Sequence, residues 1–379
     1  MRQLYLDYNA TTPIAPSVQQ AMVPFLAEHF GNPSSSHALG RAAHEAVEDA
    51  RSQVAGLIGA DREEVFFTSC ATESNNLAIK GVMLRQTPAV GGHVIISAIE
   101  HPAVVQPAKF LERLGFDVTV VNCNRDGVVP IASIEAALRP DTLLVSVMHA
   151  NNEIGTLQPI RGIAALCHER GVLMHTDAAQ SVGKVRTFVD ELEVDLLSIA
   201  GHKLYAPKGV GAIFVRRGTA LEPLLHGAGH EGGLRAGTEN VPHIVGLGKA
   251  CSLAAKSLDE AAKRMERLRE RLLLQLREAI GSRLTVNGGR AARLPNTLSV
   301  NFPDVTGGAL LARAPELCAS TGAACHSGTT HMSATLAAIG LTPEEAAGTV
   351  RLSVGWYTTE EEIDRAASLL IDAWEILAR

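Results

Sequence analysis

The chain has 379 residues, 46% of them hydrophobic and 20% charged, with a net charge of −6. That length exceeds what one core usually organises, so two domains are expected. The charge excludes a polybasic nucleic-acid surface and an acidic disordered tail, which leaves a small-molecule substrate as the expectation.

The opening residues, Met1 to Asp7, contain no apolar segment of signal-peptide length, and no later run is long enough to span a membrane. A cytoplasmic address, with no membrane partner and no direct nucleic-acid contact, is therefore expected. Cysteines stand at 70, 123, 167, 251, 318 and 325 without a CxxC pair or a His/Cys cluster. This argues against a disulfide framework and a metal site, and leaves single thiols to be weighed for reactivity.

Short β-rich runs at 65–69, 93–98, 117–122, 142–149, 172–176, 196–199 and 211–217 alternate with helix-like stretches. Several are apolar throughout, as strands are when helices cover both faces of a sheet, so a mostly parallel αβα sheet is expected. Polar clusters follow the runs: Thr68 to Glu73, Glu100-His101-Pro102, His149 to Glu153, Asp177 to Gln180, and His202-Lys203. Ligands of open α/β sheets bind outside the carboxyl ends of strands, so these clusters are expected to meet in one cleft.

Two members of those clusters suggest a cofactor. A pyridine aldehyde needs an amine to hold it as a Schiff base and a carboxylate to keep its ring nitrogen protonated, roles that Lys203 and Asp177 fit. The alternative for Lys203 is an edge lysine with its stem on apolar surface and its head in water.

Beyond residue 250 the pattern changes. A charged amphipathic segment at 258–280 reads as a connecting helix, 296–302 and 349–354 as strands, and 359–377 as a closing helix capped by Thr359 with Glu362 at the third position. Between them, 320–330 is built of small residues with two glycines and reads as a flexible loop around Cys325. A wet, mobile thiol there suits a nucleophile that travels to its substrate, although most cysteines are simply packed.

Several motifs together carry a family resemblance: Tyr5-Leu6-Asp7-Tyr8-Asn9-Ala10-Thr11-Thr12, Gly31-Asn32-Pro33-Ser34-Ser35, the stretch from Phe67 to Asn76, Asn151-Asn152-Glu153-Ile154-Gly155, Gly201-His202-Lys203 and Arg235-Ala236-Gly237-Thr238. In order and spacing they resemble the cysteine desulfurases, class V aminotransferase-like enzymes that depend on pyridoxal 5'-phosphate (PLP), in particular the nitrogenase and iron–sulfur-cluster type. The resemblance implies the fold of type I PLP-dependent transferases. In that fold a large αβα domain (16–252) with a mostly parallel seven-stranded sheet binds the cofactor, and a smaller α+β domain (1–15 and 253–379) carries the cysteine loop.

It also implies roles. Lys203 would hold the cofactor, Asp177 would pair with its ring nitrogen, Gln180 with its ring hydroxyl, and His101 would lie over the ring and move protons. Ala71, Thr72 and His202 would hold the phosphate, and Thr238 matches a threonine that reaches the phosphate across a homodimer. Arg351, assisted by Asn152, would clamp the carboxylate of L-cysteine, and Cys325 would take the sulfur as a persulfide for an acceptor protein, leaving alanine.

The alternative kept is selenocysteine lyase, which the stretch from Cys318 to Ser327 is also similar to. A scaffold that has lost catalysis conflicts with the cofactor residues present, and a nucleotide-dependent oxidoreductase lacks its glycine-rich turn at Phe67 to Thr72. Departures from the family pattern are Cys70 for a glycine, Ala200 for a serine, Gly232 and Trp356 for arginines, and Met332 for a proline.

Overall fold

Strand β1 (Leu4–Tyr5) belongs to the smaller part of the protein. The apolar runs of the first two-thirds form one seven-stranded sheet: β2 (Val65–Thr68), β3 (His93–Ser97), β4 (Asp117–Val121), β5 (Thr142–Ser146), β6 (Leu173–Asp177), β7 (Leu196–Ala200) and β8 (Gly211–Val215). The computed structural model from which this is read describes residues 3–85, 91–321, 323–326 and 329–378, with backbone alone at 323–326 and 329–331.

Strand order is β2-β8-β7-β6-β5-β3-β4, and only β8 runs against its neighbours. The unbroken apolar runs have a direct cause. Successive side chains of a strand face opposite sides, and here both sides are covered. From β3, Ile95 enters one apolar core while Val94 and Ile96 enter another; from β8, Ala212 and Phe214 go one way, Ile213 and Val215 the other.

The first core is closed by α1 (Pro16–Ala27) and α2 (Ala38–Ile58), the second by α3 (Ala71–Met83) and α4 (Pro102–Arg113). Two short helices, α5 (Ile131–Ala137) and α7 (Val189–Leu192), flank α6 (Ile160–Glu169), which packs Ile160, Ile163 and Cys167 into the first core.

Helix α8 (Val241–Ile280) starts 17 residues before the amphipathic stretch expected at 258–280. Its first half contains Gly246 and Gly248. A Cβ at Gly248 would lie 2.5 Å from Ala50 Cα of α2, so glycine is what lets the two helices touch. The same helix then continues into a third core, where Met265, Leu268, Leu272 and Leu276 meet Leu4, Leu6, Val300, Leu352 and Leu370.

That core lies against a small antiparallel sheet, order β12-β15-β10-β9, made of β9 (Thr285–Val286), β10 (Thr297–Asn301), β12 (Ser320–Thr321) and β15 (Thr349–Ser353). Strand β11 (Leu317–Cys318) pairs in parallel with β1, so the chain's start is woven into its last third. Helices α9 (Gly307–Arg313), α10 (Ala334–Ala338) and α11 (Pro343–Ala347) connect these strands. Helix α12 (Glu360–Leu377) closes the chain with the capping box read from sequence, Thr359 Oγ1 accepting from Glu362 N while the Glu362 carboxylate accepts from Thr359 N.

One expectation changes here. The segment 320–330, expected as a flexible loop, holds β13 (Ala323–His326) and β14 (Thr329–Met332), an antiparallel hairpin that pairs Cys325 with Thr330. Small and β-branched residues without a proline are as compatible with a ladder as with a loop. The Cys325 side chain lies outside the described residues.

Candidate active site

Five strands of the large sheet end at one cavity of about 250 Å³, and each contributes a polar group from the turn that follows it. Strand β2 leads to Cys70, Ala71 and Thr72, β3 to His101, β5 to Asn152, β6 to Asp177 and Gln180, and β7 to His202 and Lys203. Asn9 and Ala10 from the N-terminal segment and Arg351 from β15 complete the wall.

Lys203 is not a surface lysine. The turn Gly201–Lys203 points its amine into the cavity, where Nζ donates to the backbone oxygens of Asn9 (2.5 Å) and Ala10 (2.7 Å). Burial, followed by the charge of Arg351, lowers its pKa to about 8 against the pull of Asp7 and Asp177. An amine poised there loses its proton far more readily than a solvated lysine, as Schiff-base chemistry requires.

Asp177 is buried at the end of β6. Its Oδ2 accepts from Asn75 Nδ2 at 2.6 Å and its Oδ1 from Ala179 N at 2.9 Å, which leaves each oxygen capacity for a further donor. Asn75 Oδ1 is itself buried with no partner among the described residues.

Helix α3 begins at Ala71 with Cys70 as N-cap and no side-chain capping bond. Its first-turn N–H groups therefore remain available at the cavity wall, where the helix dipole favours an anion. His202 stands beside them, its Nδ1 3.1 Å from Thr11 Oγ1. Burial and then Lys203 lower the His202 pKa to about 4, so the ring is neutral near pH 7.

His101 plays two parts. It is the N-cap of α4, with Nδ1 accepting from Ala103 N at 3.1 Å and Pro102 in the first turn, and it also lines the cavity. With Nδ1 engaged as an acceptor, a neutral ring carries its proton on Nε2. Although the ring is open to the cavity, crowding by protein atoms lowers its pKa; Asp177 opposes this and Lys203 reinforces it.

Arg351 is already engaged. It donates to Asp7 Oδ1 (2.7 Å), Ser320 Oγ (2.9 Å) and Asn152 O (3.1 Å), while its buried Nε has no partner among the described residues. The Asp7 pairing was not legible in sequence. Neither were the Asn9 and Ala10 carbonyls, the Asn75 contact, or Lys184, which donates to Gln180 Oε1 at 2.9 Å; the first three lie inside the motifs at 5–12 and 67–76 that carried the resemblance.

One expected residue stands apart. Thr238 is exposed and does not line this cavity; it lies on the loop that Arg51 and Arg235 anchor through Glu231 and Glu73. Among the departures, Ala200 lines the cavity without a hydroxyl, and Gly232 has φ +61°, the left-handed region in which an arginine would be strained. Trp356 stacks on Tyr205 at 3.9 Å, and Met332 packs beside Leu336 and Ile339.

The residues fit PLP. An amine of lowered pKa, a buried carboxylate with spare acceptor capacity and an uncapped helix start face one cavity, which matches an aldehyde, a pyridinium and a phosphate.

Comparison with known proteins agrees. The class-V aminotransferase family model matches residues 4–366. A relative named cysteine desulfurase IscS, from Dictyoglomus turgidum, is 46% identical over 371 residues, covering 97% of this chain and 94% of that protein. A solved NifS-like protein superposes with a TM-score of 0.91 at 39% identity, over 99% of both chains. A structure described as SspA in complex with cysteine has a TM-score of 0.83 at 38% identity, over 94% of this chain and 99% of that one. Fold, cavity and kinship converge, and the chain belongs to the class-V aminotransferase family, among its PLP-dependent cysteine desulfurases.

Proposed function

We propose that this protein converts L-cysteine to L-alanine and holds the sulfur as a persulfide on Cys325 for an acceptor protein. The observation that carries the reading is the convergence of Lys203, Asp177, the start of α3 and Arg351 on one cavity. The relatives are named for cysteine, which favours this over selenocysteine lyase.

Bound PLP supplies an electron-withdrawing ring next to the substrate's α-carbon. Lys203 would hold the aldehyde and serve as a base toward the substrate, its low pKa leaving part of it neutral near pH 7. Asp177 keeps the ring nitrogen protonated, and Asn75 keeps Asp177 in place. Ala71, Thr72 and His202 would hold the phosphate, and His101, its Nδ1 engaged by Ala103 N, would offer Nε2 to the ring.

Arg351 binds the substrate carboxylate, and Asp7 and Ser320 hold its guanidinium at the cavity wall. Cys325, as thiolate, attacks the substrate's sulfur. The C–S electron pair leaves with carbon, which takes up a proton and departs as alanine.

The exposed Thr238 supports a homodimer in which this loop serves the other subunit's phosphate. Separate apolar cores support two domains, expected at 16–252 and at 1–15 with 253–379, although Tyr8, Ala15 and Ala254 pack in the larger core. Iron–sulfur cluster assembly, RNA thiolation and DNA sulfur modification are the three destinations open to the sulfur, and identifying the protein that strips the Cys325 persulfide decides among them. The test is a single-turnover reaction with L-cysteine and no reductant: one alanine and one persulfide per chain are expected. Alanine formation by Cys325→Ser would overturn the role of that thiol.

A further inference from the structure

Lys184 is buried, with 6% of its surface exposed, and the mechanism above does not use it. Its Nζ donates to two side-chain amide oxygens, Gln180 Oε1 at 2.9 Å and Asn9 Oδ1 at 3.4 Å. Both recipients line the cavity of Lys203. A buried ammonium is costly, and neutral acceptors compensate it less well than a carboxylate, so its retention at this place needs a reason.

The amide of Gln180 supplies one. An amide has an oxygen end and a nitrogen end of nearly equal size, and only hydrogen bonds decide which end points where. Lys184 fixes the oxygen end. The nitrogen end then donates one N–H to Asn9 O at 2.9 Å and keeps the second for the cavity. Reversing the amide would set its NH₂ against the Lys184 ammonium and its carbonyl against the Asn9 carbonyl, two repulsive contacts in place of two attractive ones.

Asn9 is held as firmly. Its Nδ2 donates to Thr297 Oγ1 at 2.8 Å and its Oδ1 accepts from Asn296 Nδ2 at 3.0 Å, so it cannot turn to accommodate a reversed Gln180. The Asn9 backbone oxygen that receives Gln180 also receives Lys203, which connects Lys184 through Gln180 and Asn9 to the amine that holds the cofactor.

We propose that Lys184 is a positioning residue that locks the Gln180 amide with its NH₂ toward the cavity, making Gln180 a hydrogen-bond donor to the cofactor's ring oxygen. This rests on the PLP reading given above. Burial, with Lys203 and Arg351 reinforcing it, lowers the Lys184 pKa to about 7, so near neutral pH it is part ammonium and part amine, and either form donates to Gln180 Oε1.

The test reads the bound cofactor's visible absorbance against pH in holoenzymes. Removing a cation and a donor from beside the ring oxygen favours the protonated chromophore, so Lys184→Met and Lys184→Gln are each expected to raise the pH midpoint by about one unit. Lys184→Arg restores it, and Gln180→Leu raises it in the same way. In the Gln180→Leu background, Lys184→Met should add little, because both changes act through one amide.

An unchanged midpoint in the two neutral variants overturns the proposal. So does a Lys184→Met shift of the same size with and without Gln180, which would mean that the charge acts directly. A wild-type protein that shows no absorbance band with PLP removes the cofactor reading itself, which distinguishes the two failures.

Discussion

The two sheets feed the same cavity in different ways. The large one contributes groups at the carboxyl ends of buried parallel strands, each backed by an apolar core on both faces. The small antiparallel one contributes Arg351 from β15 and, through β12, leads into the hairpin of Cys325. Lys203, Asp177 and Thr72, assigned to the cofactor, thus come from the large sheet, and Arg351 and Cys325, assigned to the substrate's carboxylate and sulfur, from the smaller part, with Asn152 of the large sheet beside Arg351. Retention of cofactor and turnover of cysteine should be separable by mutation.

The widest separation is expected between Lys203→Ala and Cys325→Ala. The first should lose the bound cofactor's visible band and at least about a thousandfold in alanine formation; the second should keep the band and fall to background in alanine formation. A Cys325→Ala protein without the band would erase the distinction between the sheets.

Arg351→Ala sharpens it further. Loss of a charge-assisted bidentate contact is expected to lower kcat/KM for cysteine roughly 10- to 100-fold while the cofactor stays bound, and a titration of rate against cysteine concentration checks this.

Glu100 tests the large sheet by pH. Burial pushes its pKa up to about 8 against hydrogen bonds from Ser97 Oγ and Met148 N. A carboxyl raised in the folded state binds more protons there than when unfolded, so its contribution to stability is fully present below the unfolded value of 4.5 and lost as pH rises toward 8. Denaturant midpoints of Glu100→Gln should therefore fall less steeply over that window, by up to about 1.4 kcal/mol per pH unit. Parallel profiles for variant and wild type would contradict this.

The smallest effect belongs to the far end of the small core. Thr359→Ala removes one half of the α12 capping box and should cost about 1 kcal/mol in denaturant unfolding while leaving alanine formation intact.

Much of this arrangement was legible in the residues. Strands covered on both faces announce themselves as unbroken apolar runs, and the polar clusters that follow them fell together as parallel topology requires. Thr359 and Glu362 gave the last helix its start. What escaped has a common physical origin in contacts between segments remote in sequence.

Nothing local says that Gly248 lets α8 touch α2, or that Asp7 would meet Arg351, 344 residues away. Nothing in the local sequence marks Lys184, whose acceptors, Asn9 and Gln180, are amides and not acids. His101 is both the N-cap of α4 and part of the cavity wall, which the sequence around it does not show.

Helix α8 has a consequence for how the molecule comes apart. At about 1.5 Å per residue its 40 residues span about 60 Å, and its two halves belong to different cores. Melting either core frays a rod that the other needs, which couples their unfolding and makes a single cooperative transition the natural outcome. A fragment cut within that rod would expose an apolar stripe on each piece. The protein thus assigns its chemistry to two cores while making their survival a joint matter.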